Sequence, residues 1–167
     1  MSHAGDSKIP EASREVLDAI RRIVQVLRKT AQAAEKRVGL SAAQLFVVRK
    51  LLETDALSVG ELALRTATSQ SSVSEVVQRL VTAGLVTRIR SARDARSVEL
   101  SLTDAGRELA ARSPEAVQDR VLEALDRMRA SDRAQLAKLL ALLLEEIGIA
   151  HTPAKMLFED GKPTEAE

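Results

Sequence analysis

The chain has 167 residues with 25 basic and 24 acidic side chains, so its formal charge of +1 does not mark a nucleic-acid binder and any cationic face must be local. Hydrophobic residues make up 45%, which suits one folded domain with appendages and excludes global disorder. Aromatic content is 1%, Phe46 and Phe158, which excludes recognition by base stacking, and the lack of cysteine excludes disulfides, thiolate metal sites and a thiol redox switch.

The start, MSHAGDSKIPEASRE, lacks the apolar run of a signal peptide. No stretch approaches the roughly 18 unbroken apolar residues of a membrane span. The expected location is the cytoplasm, with no membrane partner.

Residues 1–10 read as a flexible lead-in ending at Pro10. Val16, Ala19, Ile20, Ile23, Val24, Val26, Leu27, Thr30 and Ala34 recur at helical spacing through about Arg37, and Gly39 stops that helix. Ser41 is placed to cap a second helix with Leu45, Val48, Leu51 and Leu52 inward and Arg49 outward. A short helix follows from Val59 to Arg65, burying Leu62 and Ala63. Thr68 or Ser69 caps the next one, which runs to about Ala83 and is closed by Gly84.

Within that helix Val73, Val76, Val77 and Leu80 fall at i, i+3, i+4 and i+7 and should face inward. The opposite face is Ser71, Glu75, Gln78 and Thr82, flanked by Ser72, Ser74 and Arg79. A small polar surface lets a helix enter the major groove closely. Ser69, Ser71, Ser72 and Ser74 can meet phosphates or base edges, Gln78 can pair with adenine, and Arg79 can reach phosphate or guanine. The unpaired N–H groups of the helix start favour a phosphate. Taken alone, these residues also fit an ordinary solvated helix; the neighbouring elements favour DNA.

The period then changes from helical to alternating. Leu85–Arg90 and Ser97–Leu102 read as two strands around a turn at Ser91–Arg96, with Val98, Leu100 and Leu102 on one side of the second strand. Arg88, Arg90, Arg93 and Arg96 lie within nine residues, against Asp94 alone. Such a cationic finger suits the minor groove and its flanking phosphates. Asp94 can pair with Arg96 or cap the turn.

Thr103 caps a long helix through Leu109, Ala116, Val117, Val121, Leu122 and Leu125, which Ser113-Pro114 kinks or divides. Ser131 caps a last helix whose broad apolar face holds Leu136, Leu139, Leu140, Leu143, Leu144 and Ile147, ended by Gly148. Residues 149–167 read as a frayed tail.

The fold class is mainly α with a small β-hairpin wing (α+β). It divides into an N-terminal dimerisation helix at 11–38, a winged helix-turn-helix at 41–102 and C-terminal linker and dimerisation helices at 103–148. Two modules on a two-fold axis would match a pseudo-palindromic double-stranded operator, with reading helices about 34–36 Å apart. The leucines of LAKLLALLLEEIG lie on more than one face, so one face can pack within the subunit and another against its copy. Only His3 and His151 offer imidazole, both in the tails, and no Gly-rich phosphate loop or HExxH pattern is present. No enzyme activity, metal or cofactor is expected. The competing reading is a winged module that docks on proteins without specific DNA binding.

The architecture over residues 12–148 resembles the MarR family of regulators. The most specific part is the wing signature Asp94-Ala95-Arg96-Ser97-Val98-Glu99-Leu100-Ser101-Leu102-Thr103, and ELALRTATSQSSVSEVVQRL and VTAGLVTR match as well. The resemblance implies a homodimer with interleaved terminal helices that represses its own or neighbouring genes and releases DNA on binding a small aromatic or phenolic compound. It implies that Asp94 and Arg96 hold the wing together or place it on the DNA backbone, with Arg93 a minor-groove contact. Glu75 departs from the basic residue common there and either accepts from cytosine or solvates the helix. No effector-binding residue is assigned; Arg14, Arg21, Arg22 and Arg49 can each meet a carboxylate, or simply solvate helix faces.

Overall fold

The computed structural model describes residues 9–91 and 97–159. Seven helices and one hairpin follow in order: α1 Glu11–Val38, α2 Ala42–Leu52, α3 Val59–Arg65, α4 Gln70–Thr82, β1 Val86–Arg90, β2 Val98–Leu102, α5 Asp104–Arg112, α6 Val117–Arg127 and α7 Ala130–Ile147. Of the lead-in expected over 1–10, residues 1–8 lie outside the described residues, and Ile9 and Pro10 are exposed.

Local chemistry sets the boundaries. Gly39 takes a left-handed φ of 73° and its N–H returns to the Glu35 carbonyl, ending α1 where a side chain would be strained. Ser41 with Gln44 and Ser58 with Glu61 form capping boxes that start α2 and α3. Ser69, not Thr68, caps α4 by accepting from the Ser72 N–H. Thr103 caps α5 through the Gly106 N–H.

The core lies under α2, α3 and α4. Leu45, Phe46, Val47, Val48, Leu51, Leu62, Val73, Val76, Val77 and Leu80 are buried in one cluster with Val86, Leu100 and Leu102 of the hairpin. Burial of each such side chain stabilises by about 1.5–3 kcal/mol, so α4 is held firmly from below. The strands pair antiparallel in the register Val86↔Leu102, Arg88↔Leu100 and Arg90↔Val98. Leu57 adds a single bridge to the far side of β2, exchanging both backbone hydrogen bonds with Leu100.

Several expectations are corrected. Leu52 is 43% exposed, at the solvent edge of α2. Arg49 is half-buried rather than outward, because Asp119 of α6 accepts from its Nε at 3.4 Å. Of the two outcomes expected at Ser113-Pro114, a kink or a division, division is found: Ser113 to Ala116 is extended, since a residue before proline is pushed out of the helical region, and Ala116 then tucks into the core. The N-cap position of α7 is Arg129, not Ser131, which sits inside the first turn. Val98 is 53% exposed because the hairpin has by then run past the core. Part of the expected frayed tail is packed: Met156 and Glu159 are buried and Phe158 is half-buried.

The apolar face expected on α7 exists, but none of the helix's residues is buried within this chain. Leu139, Leu140, Leu142, Leu144 and Ile147 are exposed, as are Val16, Leu17, Ile20, Ile23, Val24 and Val26 of α1. No helix of the described residues is long and apolar enough to cross a membrane.

Candidate nucleic-acid interface

The turn between α3 and α4 is tight. Thr66 ends α3 with its hydroxyl donating to the Leu62 carbonyl, Ala67 takes a left-handed φ of 51°, and Ser69 opens α4. Val73, Val76, Val77 and Leu80 point into the core as their spacing requires, so the opposite face is fixed in solvent.

On that face Ser71, Ser74, Glu75, Gln78, Arg79 and Thr82 are exposed, with Ser69 at the N-terminal end. Ser69 and Ser71 share a hydroxyl hydrogen bond of 3.0 Å, and Ser74 donates to the Gln70 carbonyl at 2.7 Å. These serines therefore present a low surface with part of their bonding satisfied locally. Ser72 does not belong to it. It is 5% exposed, donates to Glu159 Oε2 and accepts from the Met156 N–H. Arg79 leans the same way, its Nη1 donating to the Glu159 carbonyl at 2.9 Å.

The hairpin stands beside the far end of this face. Arg88 and Arg90 are exposed on β1, and Arg88 Nη2 donates to Gln78 Oε1 at 3.0 Å. That bond ties wing to reading helix and leaves the Gln78 amide N–H groups to donate elsewhere. The Ser91 N–H closes on the Ser97 carbonyl at the base of the tip. Arg93, Asp94 and Arg96 lie outside the described residues. The structure thus brings Ser69, Ser71, Ser74, Glu75, Gln78, Arg88 and Arg90 onto one side of the molecule, with Arg79 turned to the flank at Glu159.

Placing the cap at Ser69 makes Gln70 the first helical residue, exposed beside the serines.

Two concave regions flank the module. One is an apolar groove between α1 and α6, lined by Ile23, Val26, Leu27, Val121, Ala124 and Leu125 among others, with a volume of about 560 Å³. The other is a cavity of about 180 Å³ under Phe46, Thr68, Gln118 and Leu122, walled by Ala154 to Leu157. Of the arginines considered for an effector carboxylate, Arg21 and Arg22 pair with Asp18 and Arg49 with Asp119. Arg14 lines a shallow cleft at the start of α1. Among the described residues no group of three or more His, Cys, Asp or Glu could hold a metal.

Comparison with known proteins points the same way. The family model described as MarR family matches residues 38–97. The chain is 30% identical over 122 residues to the HTH-type transcriptional repressor Rv2887 of Mycobacterium tuberculosis, covering 73% of this chain and 88% of the relative. It is 32% identical over 127 residues to the HTH-type transcriptional repressor MdtR of Bacillus subtilis, covering 75% and 72%. It is 32% identical over 111 residues to the homoprotocatechuate degradative operon repressor of Escherichia coli, covering 66% and 72%. Among solved structures, a mutant MarR from E. coli complexed with operator DNA shares the fold, with a TM-score of 0.56 and 22% identity over 83% of this chain and 99% of that one. With its capped helix-turn-helix, its hairpin wing and these relatives, the chain belongs to the MarR family of winged helix-turn-helix transcriptional regulators.

Proposed function

We propose that this protein is a cytoplasmic homodimer that binds a pseudo-palindromic double-stranded operator, represses its own or neighbouring genes, and releases DNA on binding a small aromatic compound. The carrying observation is the exposed polar face of α4 joined to the wing by the Arg88–Gln78 bond. A rigid core fixes that face, and arginines on the adjoining strand can meet the phosphates that flank a groove.

The dimer is supported by unpartnered apolar surface. A helix of 18 residues with no fully buried residue gains little from its own chain, and α1 exposes a second apolar stripe. Association of the two with a second copy would bury both. Effector control is supported by the cavities beside the module and by a relative named for a homoprotocatechuate operon, homoprotocatechuate being an aromatic acid.

The test pairs two measurements. Sedimentation equilibrium should give twice the chain mass, and a gel-shift titration should show a specific complex that Arg96→Ala loses. A monomer removes the dimer from this reading. Equal shifts by both proteins remove the wing contact.

A further inference from the structure

The C-terminal segment crosses from the end of α7 to the side of the reading helix and is held there at four places. Met156 is 6% exposed and inserts into the main core. Phe158, one of two aromatic residues in the chain, packs on the second cluster formed by Ala31, Ala42 and Val117. Gln118 Nε2 of α6 donates to the Leu157 carbonyl at 3.0 Å. Glu159 is 4% exposed; its carboxylate accepts from Ser72 and its carbonyl from Arg79, both on α4.

Phe158 adopts a φ of 57°. A bulky side chain in the left-handed region is strained and persists only where its surroundings over-determine it. The segment is therefore seated, with contacts specific enough to hold a disfavoured backbone.

Its position matters because of α7. That helix has no fully buried residue in the chain and only Leu136 and Leu143 of its leucines are partly covered, so its position depends largely on its two ends. At the start, Arg133 donates to the Leu125 carbonyl and pairs with Asp126, which pins the corner after α6. At the finish, among the described residues, the segment 149–159 connects Gly148 to the winged module.

We propose that residues 151–159 act as a strut, fixing the angle between the reading helix α4 and α7 and so setting the spacing of the two reading helices in the dimer. The spacing part rests on the dimer proposed above; the angle does not. The strut lies along the Ser72–Arg79 flank of α4, beside the exposed face rather than across it, so it orients the helix without covering it. It also walls the 180 Å³ cavity, so a molecule wedged there would push on the strut first.

The absence of cysteine makes the test clean. Ala83→Cys at the end of α4 and Lys138→Cys on α7 would be spin-labelled in the full chain and diluted with unlabelled chain, so that pulsed dipolar spectroscopy reads the intrachain distance. The expected result is one narrow distance in the parent and a broad distribution in two separate backgrounds, Ser72→Ala and Met156→Ala/Phe158→Ala, at unchanged helicity. The same backgrounds should lose about tenfold in operator affinity, as when the competent arrangement is occupied about a tenth of the time. Equal widths in parent and both variants overturn the strut. Broadening with unchanged or tighter operator binding overturns its role in spacing. A parent with no operator preference contradicts the repressor reading, while the distance measurement still decides the strut.

Discussion

Lys50 of α2 and Asp119 of α6 meet at 2.8 Å, with side chains only 15% and 12% exposed, across the seam where the winged module joins the helix that leaves it. Arg49 reaches the other carboxylate oxygen and the Pro114 carbonyl, so one aspartate gathers two cations and the broken segment between α5 and α6. Glu53 shares Lys50 at 2.8 Å. Removing Asp119 leaves Lys50 with Glu53 alone and takes from Arg49 its one charged partner among the described residues. Asp119→Ala is expected to cost about 2–3 kcal/mol in urea unfolding, and a smaller loss is expected for Asp119→Asn, which keeps an acceptor.

The same pair predicts a pH dependence. Burial alone would lower the Lys50 pKa, but hydrogen bonds and charge attraction from Asp119 and Glu53 outweigh it and raise it above the ordinary 10.5. A raised lysine pKa contributes stability that is complete below the unfolded value and lost as pH climbs through the folded one. Unfolding free energy should therefore show no loss from this group near neutrality and a decline above about pH 10.5. Lys50→Met should flatten that alkaline decline; an identical slope would contradict the account.

Gly106 in the first turns of α5 lies against the Leu85 backbone. A Cβ there would fall inside the contact radius of the Leu85 carbonyl oxygen, which also accepts from the Thr103 N–H. Neither backbone can yield without moving the hairpin off the core. Gly106→Ala should destabilise by about 1–3 kcal/mol despite the better helix propensity of alanine. A thermal melt checks the sign.

Arg88 couples wing to reading helix through Gln78. If Arg88 also neutralises a phosphate, Arg88→Ala should weaken binding across sequences and reduce the slope of log K against log salt by about 1. Gln78→Ala should instead relax preference at one base position and leave the slope unchanged. Matching slopes for Arg88→Ala and the parent would take the wing strand off the backbone.

Much of this was legible in the sequence because single residues carry it. Ser41, Ser69 and Thr103 have side chains that satisfy free backbone N–H groups, and the i, i+3, i+4, i+7 valines and leucine of α4 admit one inward face. What could not be read was long-range. Local spacing points Arg49 and Ser72 to solvent, whereas their partners lie 70 and 87 residues away in the chain. Serine near a helix start explains itself as a cap, so nothing local suggested a buried role. The tail gave one signal: Met156-Leu157-Phe158, an apolar triplet in a polar stretch, holding half of the chain's aromatic residues. Composition averaged over residues 149–167 hid it.

Specific recognition of duplex DNA underlies the proposed repression. The most direct measurement is a fluorescence-anisotropy titration near 0.15 M salt, using the duplex immediately upstream of this protein's own gene and a scrambled duplex of equal composition. A preference of about a hundredfold or more for the upstream duplex is expected. Equal binding to both duplexes would contradict it.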